Sequence, residues 1–230
     1  MEKIINGINT IIMPLTNLER ADLREADLAD VNLAGAYLGY ACLNGANLSR
    51  AILVGAFLMN TELVNTNLGD SELTRAILSE ANLSHADLRG ANLSEAYLVE
   101  AILSEANLSK ANLPRANLQA ANLRKAILTG TSLVKAELTD VNLINADLGR
   151  ADLTQATLSN ADLTGSDLEQ AILVDTVMIG ATLRQANLSY ADLSYADLRQ
   201  ADLSGTILNE SILAGVSLAA AYLTAAVLSK

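Results

Sequence analysis

The residue types that most often carry catalysis or bind transition metals are almost absent from this chain of 230 residues. It has one histidine, His85, and one cysteine, Cys42, so a nucleophilic dyad or a zinc site lacks its second member. Asp147 and Asp167 could hold a cation between them, but such side chains more often bond nearby backbone groups. No glycine-rich phosphate loop interrupts the chain. We therefore expect no enzyme activity, no catalytic residue, no metal site and no cofactor.

Any functional residue of this protein must be positioned by a five-residue repeat, which makes up nearly the whole chain. Leucine recurs at every fifth residue from Leu18 to Leu228, forty-three positions in all, with only Met178 as a replacement. Two residues earlier the chain has Ala in 31 units and Thr, Ser or Val in the other 12. The residue between them is Asp or Asn in 22 units, and the last two residues of each unit are mostly polar or Gly.

This spacing excludes regular helices and long strands. Five residues advance an α-helix by about 500°, so the Leu row would wander around the cylinder. A continuous strand has a period of two, which would send alternate Leu residues to opposite faces. A short strand followed by a corner fits, because Ala and Leu then point inward, Asp or Asn points outward, and the last two residues turn the chain. Such coils must stack through parallel strand pairing to bury their Leu side chains.

The corner residues have a turn signature. Nine of the 13 glycines fall at the second residue after Leu, and both prolines, Pro14 and Pro114, fall at the first. This is the chemistry of a type II turn, whose second central residue has a positive φ. Because Arg115 follows Pro114 and adopts such a φ at a cost, we expect some corners to be of another type.

The units ADLRE (21–25), ANLSR (46–50), ANLSE (91–95) and ADLSY (191–195) resemble the pentapeptide-repeat family, whose consensus is A(D/N)LXX. The resemblance covers residues 16–230, and the sequence is similar to many cyanobacterial members of the family. It implies an all-β fold, a right-handed quadrilateral parallel β-helix with four units per coil and about eleven coils.

The unbroken register predicts one repeat domain over 16–230, preceded by an N-terminal segment over 1–15. Ile4, Ile5, Ile8, Ile11 and Ile12 lie at helical spacing and suggest a capping helix. Ile8 and Met13 also keep the five-residue phase, so degenerate first units are the other interpretation, and the one that we favour.

The last coil, residues 209–228, carries outward apolar side chains and one charge. We expect the chain to form a homodimer end to end through this coil, as some family members do. The alternative is an end screened only by its own side chains. The candidate dimer residues are Ile207, Ile212, Tyr222 and Val227.

With four units per coil, residues that are 20 positions apart stack in one column. A set of outward apolar residues then forms the largest apolar patch away from the ends, which we call the apolar strip. It is either a stabilising stack or a site that docks a partner protein. The strip consists of Tyr37, Tyr40, Ile52, Val54, Phe57, Met59, Ile77, Tyr97 and Val99.

Composition excludes several other roles. The net charge of −11 argues against direct nucleic-acid binding. No apolar run approaches about 18 residues, which argues against a membrane helix. An export signal is not evident and a single Cys cannot form an internal disulfide, so we expect a cytoplasmic protein.

Three functions remain. The first is a non-catalytic, rod-shaped protein-interaction scaffold whose partner the sequence does not identify. The second, implied by the resemblance, is mimicry of duplex DNA to bind a type II topoisomerase such as gyrase, conferring quinolone or toxin resistance. Against it, residues 16–230 offset 25 acidic residues with 14 basic ones, whereas DNA carries one charge per ~1.7 Å. The third is a purely structural or regulatory role.

Overall fold

The structure is a computed structural model that describes residues 13–229 in full, together with the strands in 2–5 and 8–11. Two continuous strands lie at the N-terminus, β1 (Glu2–Ile5) and β2 (Ile8–Ile11), and no helix occurs in the described part of the chain. From residue 13 onward, every unit has one outward residue in a parallel bridge and a two-residue turn.

The repeat units form a right-handed, four-sided parallel β-helix, which confirms the fold that the family resemblance implies. Each outward residue pairs with the residue 20 positions later, from Asn17↔Tyr37 to Ile207↔Val227. Twenty residues are four units, so one coil has four sides. We number the faces in chain order by the outward residues of one coil, which are Asn17 for the first, Asp22 for the second, Asp27 for the third and Asn32 for the fourth.

The interior of the coils is a stack of Leu side chains with Ala at the narrower positions, as predicted. The inward residues at the Leu position are at most 5% exposed from Leu23 to Leu208, and Met178 is fully buried among them. Where Thr or Ser replaces a buried Ala, its hydroxyl donates to a Leu carbonyl, as Thr61 does to Leu38 at 2.9 Å. No buried side-chain polar atom of the described residues lacks a partner.

One unit, 116–120, shows how the backbone is satisfied. Asn117 N donates to Ala96 O of the preceding coil at 2.9 Å, and Leu118 N donates to Glu137 O of the next coil at 2.7 Å. The corner residue Ala120 also donates to the next coil, and Ala116 N closes the preceding turn. The fifth N–H, that of Gln119, donates to the Asn117 side chain at 3.0 Å. All five N–H groups of the unit are therefore bonded.

This last bond explains the Asp or Asn at the outward position. Of the 22 units with Asp or Asn there, 21 use the side-chain Oδ1 to accept the N–H two residues later. The exception is Asn112, because the residue two positions later is Pro114, which has no N–H. The consensus Asp/Asn is thus an Asx turn that supplies the one acceptor that neighbouring coils do not.

The expectation that some corners differ is wrong. The second corner residue has a positive φ in every unit from Leu15 to Ala225, in 34 non-glycine residues as well as nine glycines, and Arg115 has φ 57°. Arg115 N must donate along the rod to Val134 O, at 2.9 Å, and only this φ aims it there. The ladder bond offsets a left-handed conformation that costs roughly 1–2 kcal/mol in a non-glycine residue.

Glycine at some corners leaves space for a side chain of the preceding coil. A Cβ on Gly90 would lie 2.4 Å from Asp70 Oδ1, and one on Gly215 would lie 2.6 Å from the Tyr195 ring. The corner side chain of one coil therefore lies over the glycine of the next coil.

The two strands of the N-terminal segment match neither interpretation of the sequence, although Pro14 and Leu15 form a repeat-like turn from which Leu15 N donates to Ala34 O of the next coil. β1 and β2 pair antiparallel, with Glu2 opposite Ile11 and Ile5 opposite Ile8, so residues 2–5 and 8–11 form neither a helix nor a parallel coil. The β-branched Ile residues favour strands. The sequence between the paired Ile5 and Ile8 is Asn-Gly, a dipeptide typical of hairpin connections, and this signal pointed to the pairing. Ile12 lies outside the described residues.

Arginine two residues after an outward Asp forms a local ion pair. The Arg24 guanidinium binds both oxygens of Asp22, and the same arrangement recurs in Arg89–Asp87 and Arg199–Asp197. Hydrogen bonds from Arg24 lower the pKa of Asp22 to about 2. The guanidinium of Arg89 lowers the pKa of Asp87, and that of Arg199 lowers the pKa of Asp197.

These lowered pKa values predict acid lability. A carboxylate with a depressed pKa in the folded state binds fewer protons there than in the unfolded chain, so its contribution to stability is present above pH ~4 and is lost toward pH ~2. We expect a flat Tm between about pH 7 and pH 5 and a falling Tm below about pH 4. The triple variant Arg24→Met, Arg89→Met, Arg199→Met should show a shallower fall. Arg150→Met is the control, because Arg150 bonds the neutral Gln170. Parallel curves for the wild type and the triple variant would exclude these pairs as the cause.

The Asx turn predicts a non-additive pair of substitutions. Asn117→Ala removes the acceptor for Gln119 N and should reduce the free energy of unfolding by about 0.5–1.5 kcal/mol. In a Gln119→Pro background, which copies the corner at Pro114, there is no N–H to lose, so Asn117→Ala should cost less than half as much. Urea unfolding of the four proteins of this double-mutant cycle measures both costs. Equal costs in the two backgrounds would show that the Asn side chain acts by another route.

Candidate protein-interaction surface

The centre of the apolar strip is a ladder of four side chains on the first face. Tyr37, Phe57, Ile77 and Tyr97 lie in consecutive coils, each bridged to the next by backbone pairing. The Tyr37 and Phe57 rings stack with centroids 4.9 Å apart and planes 4° from parallel. This distance is close to the spacing of paired strands, so the coil repeat itself sets the stack. Phe57, at 38% exposed, still presents much of its ring to solvent.

The other members of the strip border this ladder. Val54 lies in the corner before the first face, whereas Tyr40, Met59 and Val99 lie in the corner after it, and Ile52 lies on the fourth face. All are exposed except Val99, which is half-buried, as Ile77 is in the ladder. The structure thus brings the nine predicted residues to one face, its two corners and the adjoining face.

Charges surround the strip unevenly. The Arg20 guanidinium lies 5.6 Å from the centre of the Tyr40 ring, one coil away in the same corner column. Farther along this column are Glu80 and Glu100, both exposed. In the opposite corner Arg75 pairs with Glu95 at 2.8 Å, and this hydrogen bond lowers the pKa of the Glu95 carboxyl.

The sequence analysis missed Leu15 as a neighbour of the strip. Its side chain is 68% exposed and lies over Gly35, in the same corner column as Gly55, which follows Val54. The signal was available, because Leu15 falls 20 residues before a corner glycine. The apolar surface around Tyr37 therefore extends one coil toward the N-terminus.

Other exposed apolar residues are scattered. Ile52, Ile77, Ile102 and Ile127 all come from AIL units spaced 25 residues apart, so they fall on the fourth, first, second and third faces in turn. Ile102 and Ile127 each pair with polar residues in both neighbouring coils. They form no second strip.

The candidate dimer residues lie at the C-terminal end of the coils. Ile207, Ile212, Tyr222 and Val227 are all exposed. Two inward residues of the last coil, Leu223 and Leu228, are also 44% and 59% exposed, and the sequence analysis did not include them. The apolar surface of this end is therefore larger than its outward residues alone suggest.

The residues whose side chains could bind a metal or act in catalysis lie apart from one another. His85 Nδ1 lies 3.5 Å from Glu105 on the surface, and Cys42 is half-buried on the second face. Asp147 accepts Gly149 N and the Thr129 hydroxyl, both at 2.9 Å, so it makes the backbone bond expected of it. Among the described residues no group of three or more His, Cys, Asp or Glu side chains is placed to hold a metal ion.

One surface depression of about 640 Å³ lies beside Gly69 and Gly90. Its two arginines are engaged by carboxylates, since Arg50 binds Asp30 at 2.7 Å and Arg89 binds Asp87 at 2.6 Å. These pairs leave the depression without a strong field of one sign. Within the described residues, no helix is long and apolar enough to cross a membrane.

The fold and its surface define a β-solenoid repeat protein, in which inward residues hold the coils together and outward residues vary. The chain belongs to the pentapeptide repeat family, since the family described as Pentapeptide repeats matches it in eight copies. The matched residues are 16–39, 41–79, 76–113, 101–140, 136–175 and 173–205. A search of the curated proteins found no match.

Several solved structures are similar to this chain. HetL, a pentapeptide repeat protein involved in heterocyst differentiation regulation from the cyanobacterium Nostoc, is 35% identical, with 94% of this chain and 90% of HetL covered and a TM-score of 0.68. Rfr23, a pentapeptide repeat protein from the cyanobacterium Cyanothece, is 29% identical over 54% of this chain and 64% of its own, with a TM-score of 0.16. QnrB1, a plasmid-mediated fluoroquinolone resistance protein, is 21% identical over 82% and 90%, with a TM-score of 0.34. At the last two TM-scores, neither superposition relates the surfaces of the two proteins.

Proposed function

We propose that this protein is a non-catalytic, cytoplasmic interaction scaffold that docks a partner protein on its apolar strip. The observation that carries the proposal is the ladder of Tyr37, Phe57, Ile77 and Tyr97, which is confined to four coils and has three exposed aromatic side chains beside the half-buried Ile77. The same face continues with the polar residues Asn117, Glu137 and Thr157. Apolar side chains clustered and exposed in this way are typical of docking sites.

The Asx turns strengthen this argument. An Asp or Asn at the outward position would give the corner N–H an acceptor, as it does in 21 other units. The four ladder units forgo that bond and present an exposed apolar side chain instead. The Tyr37–Phe57 stack offsets part of this loss, so a purely stabilising role is the competing explanation.

The similarity to HetL supports a regulatory role. HetL takes part in the regulation of heterocyst differentiation, and the alignment covers nearly the whole of both chains. A rod with a constant interior and a variable exterior suits regulation by binding, because its surface can change without altering the fold. We propose that this chain acts by holding another protein.

The proposal predicts that Phe57→Ser abolishes partner capture with little loss of stability. An affinity pulldown from a lysate of the source organism, followed by mass spectrometry, should lose its main specific band with this variant. Ile127→Ser is the matched control, because Ile127 is equally exposed but isolated on the third face. If Phe57→Ser instead lowers the Tm by several degrees and leaves the bands unchanged, the ladder is a stabilising stack.

For the chain of residues 1–230, we further propose an end-to-end homodimer through the last coil. Tyr222 and Val227, together with Leu223 and Leu228, supply exposed apolar surface there. Light scattering at tens of micromolar should give twice the monomer mass of 24.2 kDa, and Tyr222→Ser should shift the mass toward the monomer. A monomer mass for the wild type at that concentration would contradict the dimer.

Mimicry of DNA is the alternative function, and it predicts a different result. The acidity is diluted by basic residues, several of which pair with it directly, as Arg50 does with Asp30. We expect no inhibition of gyrase supercoiling by micromolar purified protein. Inhibition at that level would favour mimicry over the scaffold.

A further inference from the structure

The two ends of the apolar strip differ in charge. At the N-terminal end the cation of Arg20 lies over the Tyr40 ring. Two and three coils beyond Tyr40 in the same corner column, Glu80 and Glu100 are exposed, and neither forms an ion pair with any described residue. Glu19 precedes Arg20 and is also exposed, so the N-terminal end has no net charge, whereas the other end is anionic.

Two more carboxylates lie beside the middle of the strip. Glu62 lies on the second face and Glu72 on the fourth, so they flank the ladder on both sides. Each accepts a side-chain amide from the next coil, Asn82 at 3.0 Å and Asn92 at 2.9 Å. These amide donors are neutral, so both negative charges remain. The nearby Arg75 pairs with Glu95, and the same corner column continues with Arg115, so this column keeps one positive charge against the four carboxylates.

We propose that the occupant of the strip is a basic amphipathic segment of another protein. Its apolar side chains would cover Phe57 and its neighbours, and its Lys or Arg residues would lie against Glu80 and Glu100. This inference rests on the proposed function and specifies the chemistry of the partner. Charge complementarity of this kind fixes the direction of binding and speeds association more than it adds affinity.

The dimensions of the strip fit a short helix. Three coil steps separate Tyr37 from Tyr97, which is about 14 Å at ~4.8 Å per paired strand. A helix of about ten residues has that length at 1.5 Å per residue. Apolar residues at positions i, i+3 or i+4, and i+7 of such a helix form one stripe, which matches a single row of ladder side chains.

A second copy of the chain is a weaker fit. Two strips placed antiparallel would bring only Arg20 of one copy against Glu80 and Glu100 of the other, and Glu19 precedes that arginine. One cation would then face two carboxylates at each end. A basic segment neutralises the anionic end more completely.

The test uses a display library of amphipathic helical peptides, about four turns long, with randomised polar positions. Peptides are selected on the wild-type protein and counter-selected on Phe57→Ser. We expect the selected pool to be enriched in Lys and Arg at one end. Chosen peptides, measured by fluorescence anisotropy, should bind the double variant Glu80→Gln, Glu100→Gln about fivefold more weakly, the size expected of two exposed ion pairs. Added salt should narrow that difference.

The matched control is the double variant Glu137→Gln, Glu210→Gln, which removes the same charge outside the strip and should bind like the wild type. Two results with peptides that require Phe57 count against the inference: no enrichment in Lys and Arg, or binding to the double variant Glu80→Gln, Glu100→Gln as tight as to the wild type. Either result would overturn the proposal of a basic partner but not the proposal that the strip docks a protein. A pool in which no peptide is sensitive to Phe57→Ser would overturn both proposals. Concentration-dependent self-association that Phe57→Ser abolishes would identify a second copy as the occupant instead.

Discussion

The interaction on which the whole molecule depends is the backbone ladder that joins each coil to the next. In each unit from 36–40 to 206–210, three N–H groups cross to a neighbouring coil and one closes a turn. The remaining N–H, that of the residue after Leu, is left for a side chain, as in Gln119. Arg115 and Ala120 adopt a positive φ because the ladder needs their N–H groups to point along the rod. Local preference is overruled at the 34 corners that are not glycine, and the Asx turns then bond the N–H group that the ladder does not use.

Much of the fold follows from the sequence because one period controls it. Since residues five apart must all face inward, the spacing of the Leu and Ala rows is enough to identify the core, and Met178 fits without disturbing it. The corners were misjudged at Arg115 because intrinsic φ preference was weighed without the inter-coil bond. The two N-terminal strands are harder to predict, because a short run of Ile residues suits either a helix or a strand, and only the Asn6-Gly7 dipeptide favours a hairpin.

The surface is less predictable than the core. The columns of the strip could be assembled by counting in twenties, and the structure places those residues together. Leu15 was missed because it precedes the first regular unit. Whether a charged residue beside the strip is neutralised depends on whether a residue of opposite charge lies within reach. Arg75 has one in Glu95, whereas Glu62 and Glu72 meet only amides. Spacing alone does not distinguish these cases.

Each five-residue unit forms one of the four sides of a coil, and this has an evolutionary consequence. Adding or removing one unit leaves every inward position intact, because the core repeats at each unit. Everything downstream, however, is rotated by a quarter turn about the axis. The AIL units at 51, 76, 101 and 126 already display such a quarter-turn progression. Gain or loss of a single unit can thus place distant surface residues on the same face, or on different faces, without any substitution.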